Sequence, residues 1–187
     1  MRFDKIYKEV DKIDGWMPEP DCYQLYVYSK DIKGEILEVG SYKGRSTICL
    51  ALSSPKSNIT AVDSYPPKFR KAKSEFIKNT YGYKISHFFM PSVKLARKWQ
   101  TPLDLIMIDG NHSYRSVKAD LESWYPHLKS GSYMMFHDYN VNYDTHVPPQ
   151  YDDRYGIRKV IDQMGNQYFD KIITDPGQHG FAICRKF

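Results

Sequence analysis

Glu35-Ile36-Leu37-Glu38-Val39-Gly40-Ser41-Tyr42-Lys43-Gly44-Arg45-Ser46 reads as a β-strand running straight into a glycine-punctuated turn that opens a helix. Gly40 permits a tight turn, and Gly44 permits close approach of backbone to a ligand. The spacing is G-x-x-x-G rather than the G-x-G-x-x-G that seats a pyrophosphate on a helix N-terminus, and Glu38 beside the turn is an awkward neighbour for phosphates. The turn therefore favours a cofactor that lacks phosphates but carries an amine.

Outward from this turn, further β-rich runs at 58–63, 84–89, 103–109 and 132–137 alternate with helix-compatible stretches. That alternation predicts an α/β fold, a Rossmann-like doubly wound and mostly parallel sheet of about seven strands. Val117, Leu121 and Trp124 recur at helical spacing, and Gly131 after Leu128 reads as the stop signal. Lys68, Arg70, Lys71, Lys73 and Lys78 read as the solvated face of a helix whose inner face holds Phe69, Ala72, Phe76 and Ile77. An irregular polar segment over 139–155 precedes a helix over 157–164, and strands over 169–174 and 180–185 form a closing antiparallel hairpin around the Pro176-Gly177 turn signal. Two amphipathic segments around Ile6, Val10 and Ile13 and around Tyr23, Tyr26 and Tyr28, split by Pro18 and Pro20, are expected beside the sheet or over the ligand mouth. The expected organisation is a single domain over 1–187, with 1–33 as an N-terminal helical extension.

Composition narrows the function classes. The 187 residues are 41% hydrophobic, enough for one core, and no apolar run approaches the ~18 residues of a membrane span. The N-terminus mixes acids and bases where a secretory signal is apolar, which predicts a cytoplasmic protein without a membrane partner. Cys22, Cys49 and Cys184 have neither disulfide-framework nor zinc-module spacing and read as small buried side chains. A net charge of +5 favours anionic partners weakly and is no nucleic-acid fingerprint.

Three further groups carry chemistry. Asp63 and Ser64 end the second strand about twenty residues beyond the glycine turn, where a carboxylate can accept both hydroxyls of a ribose; capping of the next helix is the other reading of the same residues. The run Leu103-Asp-Leu-Ile-Met-Ile-Asp109-Gly-Asn-His112 delivers Asp109 and His112 to the carboxyl edge of the sheet, where open α/β folds bind ligands. Ser132-Tyr-Met-Met-Phe-His137-Asp138 ends the next strand, so Asp109, His137 and Asp138 converge if the two strands are neighbours. Two carboxylates and an imidazole there suit Mg²⁺ or Mn²⁺, or else Asp109 and Asp138 cap the following turns and His137 bonds a backbone carbonyl. The His112 imidazole titrates near neutrality and suits removal of a hydroxyl proton; a helix N-terminal residue bonded to nearby backbone would look the same.

The sequence resembles the class I S-adenosylmethionine-dependent methyltransferases, whose E-x-G-x-x-x-G loop and ribose acid are matched by Glu38-Val-Gly40-Ser-Tyr-Lys-Gly44 and Asp63. The likeness runs from about Gly34 to Phe187 and includes the element order. It implies S-adenosylmethionine as cofactor, held by Glu38, Gly40, Ser41, Gly44, Ser46, Asp63, Ser64 and Asp109, with Ser92 beside the adenine. D-G-x-H-x-Y followed by a helix, Trp124 and H-D-Y is similar to the subfamily of macrolide sugar O-methyltransferases and cephalosporin-biosynthesis methyltransferase-like proteins. That resemblance implies Mg²⁺ bound by acids at the ends of strands four and five, here Asp109 with His137 and Asp138, and His112 as general base. Relatives show a carboxylate pair where this chain has His137-Asp138. The expected activity is O-methylation of a hydroxylated small molecule such as a sugar.

Three other classes compete. Base-directed N-methyltransferases need an Asp/Asn-Pro-Pro-aromatic motif after strand four, and this chain has Asp109-Gly-Asn-His112 there. A non-catalytic cofactor- or RNA-binding module could use the 16 tyrosines to stack bases, but it leaves Glu38, Gly40, Gly44 and Asp63 unexplained. A nicotinamide-dependent oxidoreductase lacks its glycine fingerprint. The aromatic-rich termini allow a homodimer as well as a monomer.

Overall fold

In the computed structural model, residues 1–141, 156–175 and 179–187 are described. The expected irregular segment therefore lies outside the described residues from 142 to 155, as do Pro176 and Gly177 of the expected hairpin turn.

Seven strands form one sheet: β1 (Glu35–Val39), β2 (Asn58–Val62), β3 (Ile85–Phe88), β4 (Leu103–Ile108), β5 (Leu128–His137), β6 (Phe169–Thr174) and β7 (Phe181–Lys186). Their order is β3-β2-β1-β4-β5-β7-β6. The first five run parallel, and β7 is antiparallel to both β5 and β6. This is the α/β architecture that the alternating runs predict.

Strands β1 and β4 read as near-continuous apolar runs because they are covered on both faces. Period-two alternation sends Leu37, Val39, Ile106, Ile108 and Phe136 into one layer, against Val117, Leu121 and Trp124 of α6 (Tyr114–Trp124) and Val160 and Ile161 of α7 (Gly156–Tyr168). Ile36, Leu105, Met107 and Met135 enter the opposite layer. There they meet Ile6 and Val10 of α1 (Phe3–Val10), Leu25 of α2 (Glu19–Ser29) and Ile48 of α3 (Arg45–Ser53). The two N-terminal segments fold as α1 and α2 beside the sheet, but α2 buries Asp21, Cys22, Leu25 and Ser29 and leaves Tyr23 exposed, so its tyrosines do not form the inner face. The three cysteines are buried and free, and no described helix is long and apolar enough to cross a membrane.

Two expectations are corrected. Helix α6 ends at Trp124, because Pro126 brings no N–H to continue it and residues 125–127 tighten into a 3₁₀ turn. Gly131 is consequently no helix stop; it lies inside β5 in a left-handed conformation (φ 76°), so β5 starts at Leu128 rather than Ser132. In α4 (Arg70–Thr80) the buried positions are Ala72, Phe76 and Thr80, four residues apart, which turns Ile77 to solvent at 45% exposure.

Candidate active site

The chain passes from β1 outward to β2 and β3 and then returns to β4 on the other side of β1. The β1/β4 boundary is therefore a topological switch point, the place where open α/β sheets form a crevice beyond the strand ends. A cavity of about 980 Å³ opens there, large enough for a nucleoside-sized ligand together with an acceptor. Its wall includes Gly40, Ser41, Ser46, Asp63, Ser64, Ser92, Asp109, His112, His137 and Asp138.

Glu38 and Gly44 stand behind that wall. Alternation along β1 puts Glu38 on the same face as Ile36, under α3, where the Thr47 hydroxyl donates to its Oε2. Complete burial pushes its carboxyl up to about 8 against the opposing hydrogen bonds from Ser46 and Thr47. Gly44 adopts φ 91° at the start of α3, and a Cβ there would press on Thr80 and Phe76 of α4 at 3.1 and 3.2 Å. The space left by its absent side chain is taken up by the packing of α3 on α4.

Asp63 shapes the glycine turn after β1. Its Oδ2 accepts from the backbone amides of Ser41 and Tyr42, each at 3.1 Å, and its Oδ1 accepts from Tyr65 N at 2.9 Å. Asp63 does not cap the next helix, since neither the 3₁₀ turn Pro67–Phe69 nor α4 carries a side-chain cap; it closes a local turn to Tyr65 and lines the cavity. A carboxylate offers about four acceptor positions, so lone pairs remain for ribose hydroxyls. Ser41 shares its hydroxyl with Tyr65 Oη at 3.1 Å, and Tyr65 Oη donates to Tyr42 O at 2.6 Å. Across the cavity, the Ser92 hydroxyl donates to Asp120 of α6, whose carboxyl burial raises to about 6.

The other end of the cavity holds interleaved carboxylates and imidazoles. His112 Nε2 lies 3.4 Å from Asp109 Oδ1, and its Nδ1 lies 3.3 Å from Asp138 Oδ2. His137 Nδ1 lies 3.3 Å from Asp109 Oδ1 and 3.5 Å from Asp138 Oδ1, while its Nε2 lies 2.8 Å from Asp21 Oδ2. His179 Nδ1 lies 2.7 Å from Asp138 Oδ1. Asp138 holds this position in a left-handed backbone conformation (φ 63°), uncommon for a residue with a side chain and typical of functional sites.

Capping does not account for Asp109, because the N-cap of α6 is Ser113, whose side chain accepts from Ser116 N. His112 is fixed at the backbone by Gly156 N, which donates to its carbonyl at 2.7 Å. The electrostatics follow from the interleaving. Burial alone would raise Asp109, but the imidazoles of His137 and His112 overcome it and hold the carboxyl at about 2. Burial alone would lower His112 and His137; their carboxylate partners overcome it and raise both, His137 strongly.

Asp109, His137 and Asp138 offer ligand atoms that all lie within 4.8 Å of one another. Two carboxylates with one imidazole suit a hard or borderline divalent cation such as Mg²⁺ or Mn²⁺ in donor type and in span. Asp21, Asp120 and His179 belong to the site without having been legible as such in the sequence. Asp21 sits in an N-terminal helix 116 positions from His137, and His179 stands beside a turn signal with no strand-end motif.

Residues 37–139 match the family described as "Methyltransferase domain". Among curated proteins, the chain is 29% identical over 126 residues to an uncharacterised protein of Sinorhizobium fredii, covering 57% of this chain and 13% of that protein. It is 23% identical over 113 residues to an uncharacterised protein of Acanthamoeba polyphaga mimivirus, covering 55% of this chain and 50% of that one. The match thus spans half or less of each of these relatives.

Solved structures share the fold across nearly the whole chain. The cofactor-bound protein Rv0187 from MTB superposes with a TM-score of 0.74 at 17% identity, covering 98% of this chain and 88% of that one. The methyltransferase PaMTH1 of Podospora anserina, bound to S-adenosylhomocysteine, gives 0.71 at 16% identity over 99% and 87%. The O-methyltransferase TomG of Streptomyces achromogenes, in complex with S-adenosylmethionine, gives 0.68 at 16% identity over 98% and 87%. With a switch-point cavity between a glycine turn and a strand-end acid, and a family match over more than half its length, the chain belongs to the methyltransferase domain family and has the class I methyltransferase fold.

Proposed function

We propose that this protein transfers the methyl group of S-adenosylmethionine to a hydroxyl of a small molecule, with a sugar as the favoured acceptor class and a divalent cation at Asp109, His137 and Asp138. The observation that carries this reading is His112, which reaches the cavity between Asp109 and Asp138. Asp63 and the Gly40–Ser41 turn take the ribose and methionine portions, and the Ser92 segment lies toward the adenine. The acceptor then enters at the end lined by His112 and Asp138.

An alcohol must lose its proton as the methyl arrives, and an imidazole is suited to take it. Both ring nitrogens of His112 face carboxylates. Those carboxylates favour the doubly protonated ring, so His112 acts as base only after one proton has left to solvent and the freed nitrogen faces the acceptor hydroxyl. A cation held by Asp109, His137 and Asp138 would lower the pKa of a coordinated hydroxyl. The sulfonium is already reactive, so the walls contribute chiefly by holding the acceptor oxygen in line with the methyl group.

The test is transfer of a labelled methyl group from S-adenosylmethionine to a panel of sugars, glycosides and phenols, with Mg²⁺, with Mn²⁺ and with EDTA. Label transfer to a hydroxyl that EDTA suppresses and Mg²⁺ or Mn²⁺ restores is the expected result. Transfer only to nitrogen acceptors would overturn the O-methylation reading, and transfer indifferent to EDTA would overturn the cation.

A further inference from the structure

We infer that Asp21 is a positioning residue: it holds the His137 ring with Nε2–H directed into α2, so that Nδ1 is the nitrogen presented to Asp109 and Asp138. The part of this inference that concerns metal rests on the reading of Asp109, His137 and Asp138 as a cation site.

Asp21 lies in the first turn of α2 and is fully buried, and His137 is 1% exposed. The Asp21 Oδ2 to His137 Nε2 distance is 2.8 Å, the shortest of the contacts made by this ring with carboxylates. The ring is fixed from its faces as well, by Phe181 at 4.9 Å between centroids and by His179 stacked at 5.6 Å and 13°. An ionised carboxylate only accepts, so the hydrogen between the two groups sits on Nε2. With Nε2 committed to Asp21, Nδ1 is the nitrogen on the side of the Asp109 and Asp138 carboxylates. A ligand histidine whose other nitrogen donates to a carboxylate is the usual way in which a ring is oriented and made more basic toward a metal.

Asp21 Oδ1 is buried without a hydrogen-bond partner among the described residues. A carboxylate half-satisfied in a core is costly, and an apolar residue would fasten α2 to the sheet more cheaply. The contact with His137 is what the charge supplies. The N-terminal helical segment thus contributes to the site through a residue that never touches the cavity.

The experiment is heteronuclear NMR of the imidazole nitrogens in full-length protein with isotope-labelled histidine, with and without Mg²⁺, beside Mn²⁺ affinity from electron paramagnetic resonance. The wild type is expected to show one ring with an exchange-protected proton on Nε2, and Mg²⁺ should move the Nδ1 resonance of that ring. Asp21→Ala should lose the protected proton and weaken Mn²⁺ binding by about 10–100-fold. Asp21→Asn still accepts through its amide oxygen and should keep the proton and much of the affinity, a rescue that a purely structural role does not predict. A wild-type ring whose Nε2 carries no protected proton overturns the inference without any variant. So does an Asp21→Ala protein that keeps both the signal and the affinity. Wild-type protein that binds no Mn²⁺ yet shows the Nε2 proton, lost in Asp21→Ala, overturns the cation reading and upholds the placement of the ring by Asp21.

Discussion

The backbone carbonyl of Asp109 lies against Gly40 so closely that a Cβ on residue 40 would fall well inside 3.0 Å of it. The turn after β1 and the strand end that carries Asp109 are in direct backbone contact, with Asp109 N donating to Val39 O at 2.8 Å. Gly40 also sits at φ 87°, which L side chains rarely adopt. Gly40→Ala is therefore expected to lower stability by about 1–2 kcal/mol from the backbone conformation alone. The clash adds to that loss, and cofactor binding falls with it. Thermal unfolding and calorimetric titration of the variant check both.

Asp63 holds three backbone amides, those of Ser41, Tyr42 and Tyr65. Removing the carboxylate leaves donors without their acceptor, at about 1–3 kcal/mol for each that stays buried. Asp63→Ala should lose S-adenosylmethionine affinity by more than tenfold, roughly 1.4 kcal/mol. Asp63→Asn, which keeps one acceptor oxygen, should lose less. Equal losses in the two variants would point to charge alone rather than loop geometry.

Much of this was legible in the chain. The seven strands, their α/β alternation and the convergence of Asp109, His137 and Asp138 follow from apolar runs that end in polar residues at one sheet edge. Glu38 reads as a ligand neighbour because it flanks the glycines, yet the pleat of β1 turns it into the α3 layer. Gly131 reads as a helix stop because a left-handed residue inside a strand and one after a helix look alike in sequence. Asp21 and His179 were not legible, since only the tertiary fold brings them to His137 and Asp138.

His112 provides the sharpest split between binding and chemistry. His112→Gln is expected to reduce turnover by about 10²–10⁴-fold, the usual contribution of a general base. Affinity for S-adenosylhomocysteine should be unchanged. Steady-state kinetics on an identified acceptor, beside calorimetry, separate the two effects; wild-type turnover in the variant would exclude His112 as the base.

Glu38 sets a pH dependence of stability. Its folded carboxyl titrates at about 8 against an ordinary value of 4.5, so the folded state binds the extra proton between those limits. The contribution of protonated Glu38 is fully present below 4.5 and is lost as pH rises through about 8. Glu38→Gln removes the titration and keeps a neutral side chain under α3. Unfolding temperatures measured from pH 5 to pH 9 should therefore fall more steeply in the wild type than in the variant. Parallel profiles would contradict the assignment.

Calorimetric titration of the purified protein with S-adenosylmethionine, with NAD as the competing ligand and Asp63→Ala as the control, tests directly whether the switch-point cavity is a methyl-donor site. One site per chain is expected, with affinity on the order of micromolar. That binding should be displaced by S-adenosylhomocysteine, untouched by NAD and lost in the variant. A folded protein that takes up no S-adenosylmethionine, or that prefers NAD, would contradict that assignment.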